Sequence, residues 1–235
     1  MDSTSRFQRL NLRIAQFAAI GALILLYAYG DRIAIRAIGA LSNGTETGPL
    51  GDRYPWWTLT HFVSALSFAI LAMFQLVPVI RRRYLAVHRV VGRIAVSAGL
   101  LTAVSGTAIP VLLPLRPLLW RGYIVLHLAA TAFFLTKGFL AARRHNILTH
   151  RAWMVRAIAS AGAVMTQRVL FPLFPRLLGI HSDQQFWEEF VAASLCAWLI
   201  NLLMAELWLR SQSISKAQPM ASALASFPAR GVSAS

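Results

Sequence analysis

The chain has 235 residues, 57% of them hydrophobic, with a mean hydropathy of +0.58 and only 13% charged. A soluble domain of this length cannot hide so much apolar surface, so part of its solvent must be lipid. Its 23 Lys and Arg against 8 Asp and Glu give a net charge of +15. Those cations lie in short loops between apolar runs, without a basic stripe of interleaved aromatics, which argues for membrane orientation and against nucleic acid. A single cysteine, Cys196, excludes an internal disulfide and a cysteine-based metal site.

In chain order, residues 1–13 are polar and basic, with Arg6, Arg9 and Arg13. The run from about Ile14 to Tyr29 is just long enough to cross a bilayer, which takes roughly 17–25 residues. No small-x-small cleavage site follows directly, so an uncleaved first helix is expected rather than a signal peptide. A loop is expected over 30–56, and Tyr54, Trp56 and Trp57 then mark an interface, as an aromatic belt does. The second span is expected over 57–80, closed by Arg81, Arg82 and Arg83. The third runs from His88 to about Leu113, closed by Pro110, Pro114 and Pro117. Trp120 and Tyr123 mark the next interface, and the fourth span ends near Ala142. The fifth is expected over 152–174 and the sixth over 185–209, ending at Arg210. Residues 210–235, rich in Ser and Ala, read as a disordered cytoplasmic tail.

The expected fold class is therefore all-α: a polytopic membrane protein with six transmembrane helices within 14–209. Most Lys and Arg fall on the side of the two termini, which the positive-inside rule places in the cytoplasm. Short loops make neighbouring helices antiparallel and the bundle compact.

Two stretches repeat one design. Arg81 to Gly99 reads RRRYLAVHRVVGRIAVSAG, and Arg143 to Arg168 reads RRHNILTHRAWMVRAIASAGAVMTQR. Each has a basic loop, His-Arg, a further arginine (Arg93 or Arg156), and an apolar helix reaching Ser-Ala-Gly. With His61 and His127 upstream, 61–99 and 127–162 suggest an internal duplication. Its product is a four-helix core of spans two to five over 57–175, with spans one and six peripheral.

The histidines fall at two depths. His61 lies roughly 7 Å and His127 roughly 10 Å inside the outer ends of their helices, at 1.5 Å per residue. His88 and His150 begin spans three and five at the inner face. His61, Phe68 and Gln75 share one stripe by their spacing of seven, and His127, Thr131, Phe134 and Gly138 share another. Polar residues in a span face the bundle interior. Two imidazoles facing across a bundle would suit haem b, with His61/His127 and His88/His150 as axial pairs. Arg89, Arg93, Arg151, Arg156 and Arg168 would stand near the propionates. This layout over 57–175 resembles the six-helix, ascorbate-reducible di-haem cytochrome b family, which implies transmembrane electron transfer.

The alternative reading needs no metal. His88-Arg89 and His150-Arg151 would then bind loop carbonyls, anionic lipid or a phosphorylated small molecule. Arg168 with Gln167 and Lys137 offers another anion site. His145 and His181 are expected in solvated loops. No carboxylate lies midway through a core helix, as a proton- or cation-coupled transporter needs. No catalytic triad, phosphate loop or HExxH motif is visible either.

At residue level, Gln75, Arg81 to Arg83, HRVVGR (88–93), HRAWMVR (150–156) and Arg168 resemble the bacterial membrane-protein family called domain of unknown function 2306. The resemblance covers roughly 60–175 and implies a polytopic inner-membrane protein without assigning an activity. A redox partner and a homodimer both stay open.

Overall fold

The computed structural model describes residues 55–112, 117–171, 173 and 183–225, and their regular structure is entirely helical. The helices are α1 (Pro55–Leu76), α2 (Pro78–Arg83), α3 (Leu85–Leu112), α4 (Leu118–Arg143), α5 (Ile147–Leu170) and α6 (Asp183–Ala225). The expected first span and N-terminal segment, His181 and residues 226–235 lie outside the described residues.

Local chemistry explains where the helices break. The second expected span does not run unbroken to Ile80. Pro78 lacks an N–H and disfavours helix at the preceding residue, so Val77 turns extended (φ −70°, ψ 115°). The short basic helix α2 follows, and Tyr84 ends it. α3 then starts at Leu85, three residues before His88, and carries Pro110 within it rather than after it. Arg121 of α4 donates its Nε–H to the Pro110 carbonyl at 2.9 Å.

The second turn is tighter. His145 adopts a left-handed φ of 58°. Its N–H donates to the Ala142 carbonyl at 3.0 Å, and the Asn146 N–H donates to the Ala141 carbonyl at 3.0 Å. This pair of bonds is a Schellman closure of α4. Asn146 then caps α5, its side chain accepting from the Thr149 N–H at 3.1 Å. The sequence RRHN therefore ends one helix and starts the next, and α5 begins five residues before the expected Ala152.

Down the first hairpin, α1 and α3 interlock by a repeated knob and gap. A Cβ on Gly106 would meet the His61 ring at 2.6 Å, and one on Gly99 would meet the Phe68 ring at 2.9 Å. One on Gly92 would meet the Gln75 amide at 3.3 Å. The three knobs on α1 and the three glycines on α3 each recur every seven residues, so one antiparallel register holds along the whole seam. Below His61, the buried Phe68 and Ala72 of α1 join Val96 of α3, Leu135 of α4 and Ala157 of α5 in one apolar core.

The sixth span is not peripheral. Tyr123 of α4 donates to the Ser194 carbonyl of α6 at 3.3 Å. Trp198 donates its indole N–H to the Ser160 hydroxyl of α5 at 2.8 Å. Asn201 bonds both the Ala159 carbonyl (3.1 Å) and the Thr166 hydroxyl (2.9 Å) of α5. Arg156 forms a two-pronged pair with Glu206. Interior polar groups in a lipid-solvated bundle must be satisfied by neighbouring helices, and α6 supplies those partners. Its helical backbone continues past Arg210 to Ala225, into the stretch expected as tail, with Pro219 inside it.

Four described helices are long and apolar enough to cross a membrane, over Trp56–Leu76, Leu85–Val111, Leu118–Arg143 and Gln185–Gln212. α5, with Arg151, Arg156, Gln167 and Arg168, is not among them, although its 24 residues would reach. Among its polar groups His150 bonds α4, and Arg151 and Arg156 lie against α6.

Candidate functional site at the basic end

The outer histidines are fastened within their own hairpins. His61 directs Nδ1 to the Thr102 carbonyl of α3 at 3.1 Å, with the Ser105 hydroxyl at 3.5 Å. His127 directs Nε2 to the Ser160 carbonyl of α5 at 3.0 Å. It is stacked on Tyr123 (5.7 Å, 5°) and meets Trp198 edge-on at 5.4 Å. A carbonyl can only accept, so the proton sits on Nδ1 of His61 and on Nε2 of His127. Both residues tie neighbouring helices together.

A macrocycle between His61 and His127 would need a slot between α1 and α4, and side chains fill that space at two levels. A Cβ on Gly106 would meet Leu128 of α4 at 2.7 Å as well as His61, so these two side chains are close neighbours. One level down, Phe68 and Leu135 meet the Gly99 position at 2.9 and 2.7 Å. The outer pair therefore does not fit the facing arrangement that haem requires. Among the described residues no three His, Cys, Asp or Glu converge as a metal-holding group.

At the opposite end charged groups of the two His-Arg motifs lie within electrostatic reach of one another. His88, half-buried at the start of α3, lies within electrostatic reach of His150 on α5, Arg81 on α2 and its neighbour Arg89. Arg81 in turn lies close to Arg151 and Arg82. Burial first, and then these two cations, hold its guanidinium below the usual arginine range. Arg151 rests over the Trp208 ring of α6 at 4.7 Å. Helices from both hairpins thus build one concentration of positive charge.

Each inner histidine is anchored on one nitrogen. His150 bonds the Gly138 carbonyl through Nδ1 at 2.8 Å. With its NH2 group toward His88, the Gln75 amide donates to Nδ1 at 2.6 Å and to the His88 carbonyl at 3.2 Å, and accepts from the Gly92 N–H at 3.2 Å. The opposite orientation would set acceptor against acceptor and donor against donor. Gly92, one turn beyond His88, leaves the room that Gln75 needs, which gives HRVVGR its glycine.

The remaining expected site residues stand apart. Arg156 is engaged with Glu206 and lies over the Trp153 ring at 4.9 Å. Arg93 is exposed on α3, Arg168 is exposed in the last turn of α5, and Gln167 is buried beside it. Lys137 lies over Phe133 at 5.5 Å. Sequence reasoning missed Glu206, Asn201 and Trp198 because span six was expected at the periphery. The signal for them was three polar or amphipathic residues spaced at helical intervals in an otherwise apolar run.

A comparison with curated proteins and another with solved structures each return no match. The family described as Predicted membrane protein (DUF2306) matches residues 58–209, which takes in nearly all of α1, the whole of α2 to α5 and most of α6. The match includes both His-Arg motifs, Gln75 and the α6 residues that brace the second hairpin. The chain belongs to that family of membrane proteins.

Proposed function

We propose that the chain is a bacterial inner-membrane protein whose cytoplasmic end binds the phosphate group of an anionic lipid or of a phosphorylated small molecule. α5 crosses the bilayer with the other long helices, shielded by α4 and α6, and the positive-inside rule assigns the basic end to the cytoplasm. The observation that carries this reading is the convergence of Arg81, His88 and Arg89 from one hairpin with His150 and Arg151 from the other. Cations crowded at this end are stabilised by a bound anion. Glu206 does not offset them, because it is engaged with Arg156. Guanidinium groups also match phosphate oxygens in geometry.

A b-type haem has less support, since the space between His61 and His127 is filled and both imidazoles serve as interhelical ties. Full-length protein purified after expression with haem supply is expected to lack a Soret band; a reduced alpha band lost in His61→Ala would restore the electron-transfer reading. The direct test is native mass spectrometry of the full chain titrated with phosphatidic acid. Arg81→Gln and Arg151→Gln should each weaken retention about tenfold, roughly 1.4 kcal/mol. Arg93→Gln and Arg168→Gln should leave it unchanged. Equal losses in all four variants would reduce the site to general surface charge and defeat the proposal.

A further inference from the structure

The two inner histidines present opposite chemistry toward the same end of the molecule. The Gly138 carbonyl can only accept, so the bond to it at 2.8 Å fixes the proton of neutral His150 on Nδ1 and leaves Nε2 as an acceptor. His88 is the reverse. Its Nδ1 accepts from the Gln75 amide at 2.6 Å, which puts the proton of the neutral ring on Nε2 as a donor. Gln75 cannot simply turn over to suit the other tautomer, because its oxygen already accepts from the Gly92 N–H at 3.2 Å and its NH2 group also donates to the His88 carbonyl. Of the four core histidines, His61 and His127 donate their assigned N–H to carbonyls deep in the bundle; only His88 and His150 stand beside the arginine cluster.

A donor and an acceptor set among guanidinium groups suit an oxyanion that has both an unprotonated oxygen and an O–H. A phosphomonoester is such a group at and below its second ionisation, which lies at a pKa of about 6, where one of its oxygens still carries a proton. A phosphodiester has no second proton. We infer that the basic end selects a phosphomonoester over a phosphodiester: His88 Nε2–H donates to one phosphate oxygen, and His150 Nε2 accepts from the P–O–H. Gln75 is the positioning residue that fixes the His88 tautomer. This rests on the anion-binding reading above. It adds a rule of discrimination beyond charge: phosphatidic acid also carries more negative charge than phosphatidylglycerol, so the part of the preference that depends on His150 and Gln75 is what marks it.

The test uses the full chain in detergent, titrated by native mass spectrometry with phosphatidic acid or phosphatidylglycerol of identical acyl chains. Phosphatidic acid should bind at least about tenfold more tightly, and His150→Phe or Gln75→Glu should remove most of that preference while arginine-dependent binding of both lipids persists. Solid-state 15N spectra of histidine-labelled protein, with His88→Gln to assign the signal, should show a lone pair on Nδ1 and a proton on Nε2 of His88. Gln75→Glu, whose carboxylate accepts from Nδ1–H, should reverse that tautomer. Inorganic phosphate that displaces phosphatidic acid would mark a free phosphorylated ligand as sufficient; failure to displace it would mark a lipid headgroup as the source. Equal binding of the two lipids, or a wild-type His88 with its proton on Nδ1, overturns the inference and leaves the anion reading standing. Absence of binding by either lipid and by phosphate defeats both.

Discussion

The two hairpins perform the same task with opposite materials. In α1/α3 the bulk sits on the first helix, as His61, Phe68 and Gln75, and the gaps are the glycines of α3. In α4/α5 the basic-end gap is Gly138 on the first helix, and Met154, one turn past His150, fills it from the second. Outer histidines bond forward to the next helix in both hairpins, and inner histidines are held by the previous one. The turns differ as well, a proline-broken linker with its own helix α2 in the first and a three-residue Schellman turn in the second. Finally, α6 braces the second hairpin with polar bonds, whereas the described polar ties of α1 run to α3. The two hairpins therefore share the histidine ties while bulk and gap change sides.

The sharpest way to break this comparison is to fill a gap in each hairpin. Gly99→Ala puts a methyl group against the Phe68 ring and Leu135, neither of which can retreat within a buried core. It should cost about 1–3 kcal/mol in detergent-solubilised protein, read as a lowered unfolding midpoint. Gly138→Ala meets the Met154 sulfur at 2.7 Å, but a flexible thioether moves aside, so the cost should stay below about 1 kcal/mol. Equal losses would mean that the seams are not built differently.

The brace is the next target. Glu206→Gln removes the charge that holds Arg156 and should destabilise α5 against α6 by about 1 kcal/mol, a discounted figure because both side chains are partly exposed. Hydrogen exchange should rise in α5 and α6 and stay unchanged in α1; a uniform rise would contradict the separation of the hairpins. The smallest effect should be a gain. His145 sits at φ 58°, where a side chain costs about 1 kcal/mol, so His145→Gly should raise stability by about that much. A loss would assign His145 a role beyond closing the turn.

Much of this was legible beforehand, and in a physically consistent pattern. Apolar run length and basic loops located α1, α3, α4 and α6, because lipid solvent imposes both. The spacing of seven identified the α1 stripe, but its partner went unread although Gly92, Gly99 and Gly106 follow the same interval. A glycine gap has no polarity and shows its purpose only against the knob that fills it. The expected histidine pairing took similar depth as a sign of facing, whereas each outer imidazole found a carbonyl on the nearest antiparallel neighbour. Short hydrogen bonds between adjacent helices win over longer reaches across a bundle whose centre is closed by Phe68 and Leu135.

The measurement that bears most directly on the shared basic-end site is a double-variant cycle on phosphatidic acid binding, using Arg81→Gln, Arg151→Gln and the pair together at one ionic strength. Residues contacting one ligand couple, so the combined loss should fall well short of the product of the two single losses. Two distinct binding events, each weakened by only one of the variants, would place the two arginines at separate sites and contradict a single anion site built by both hairpins.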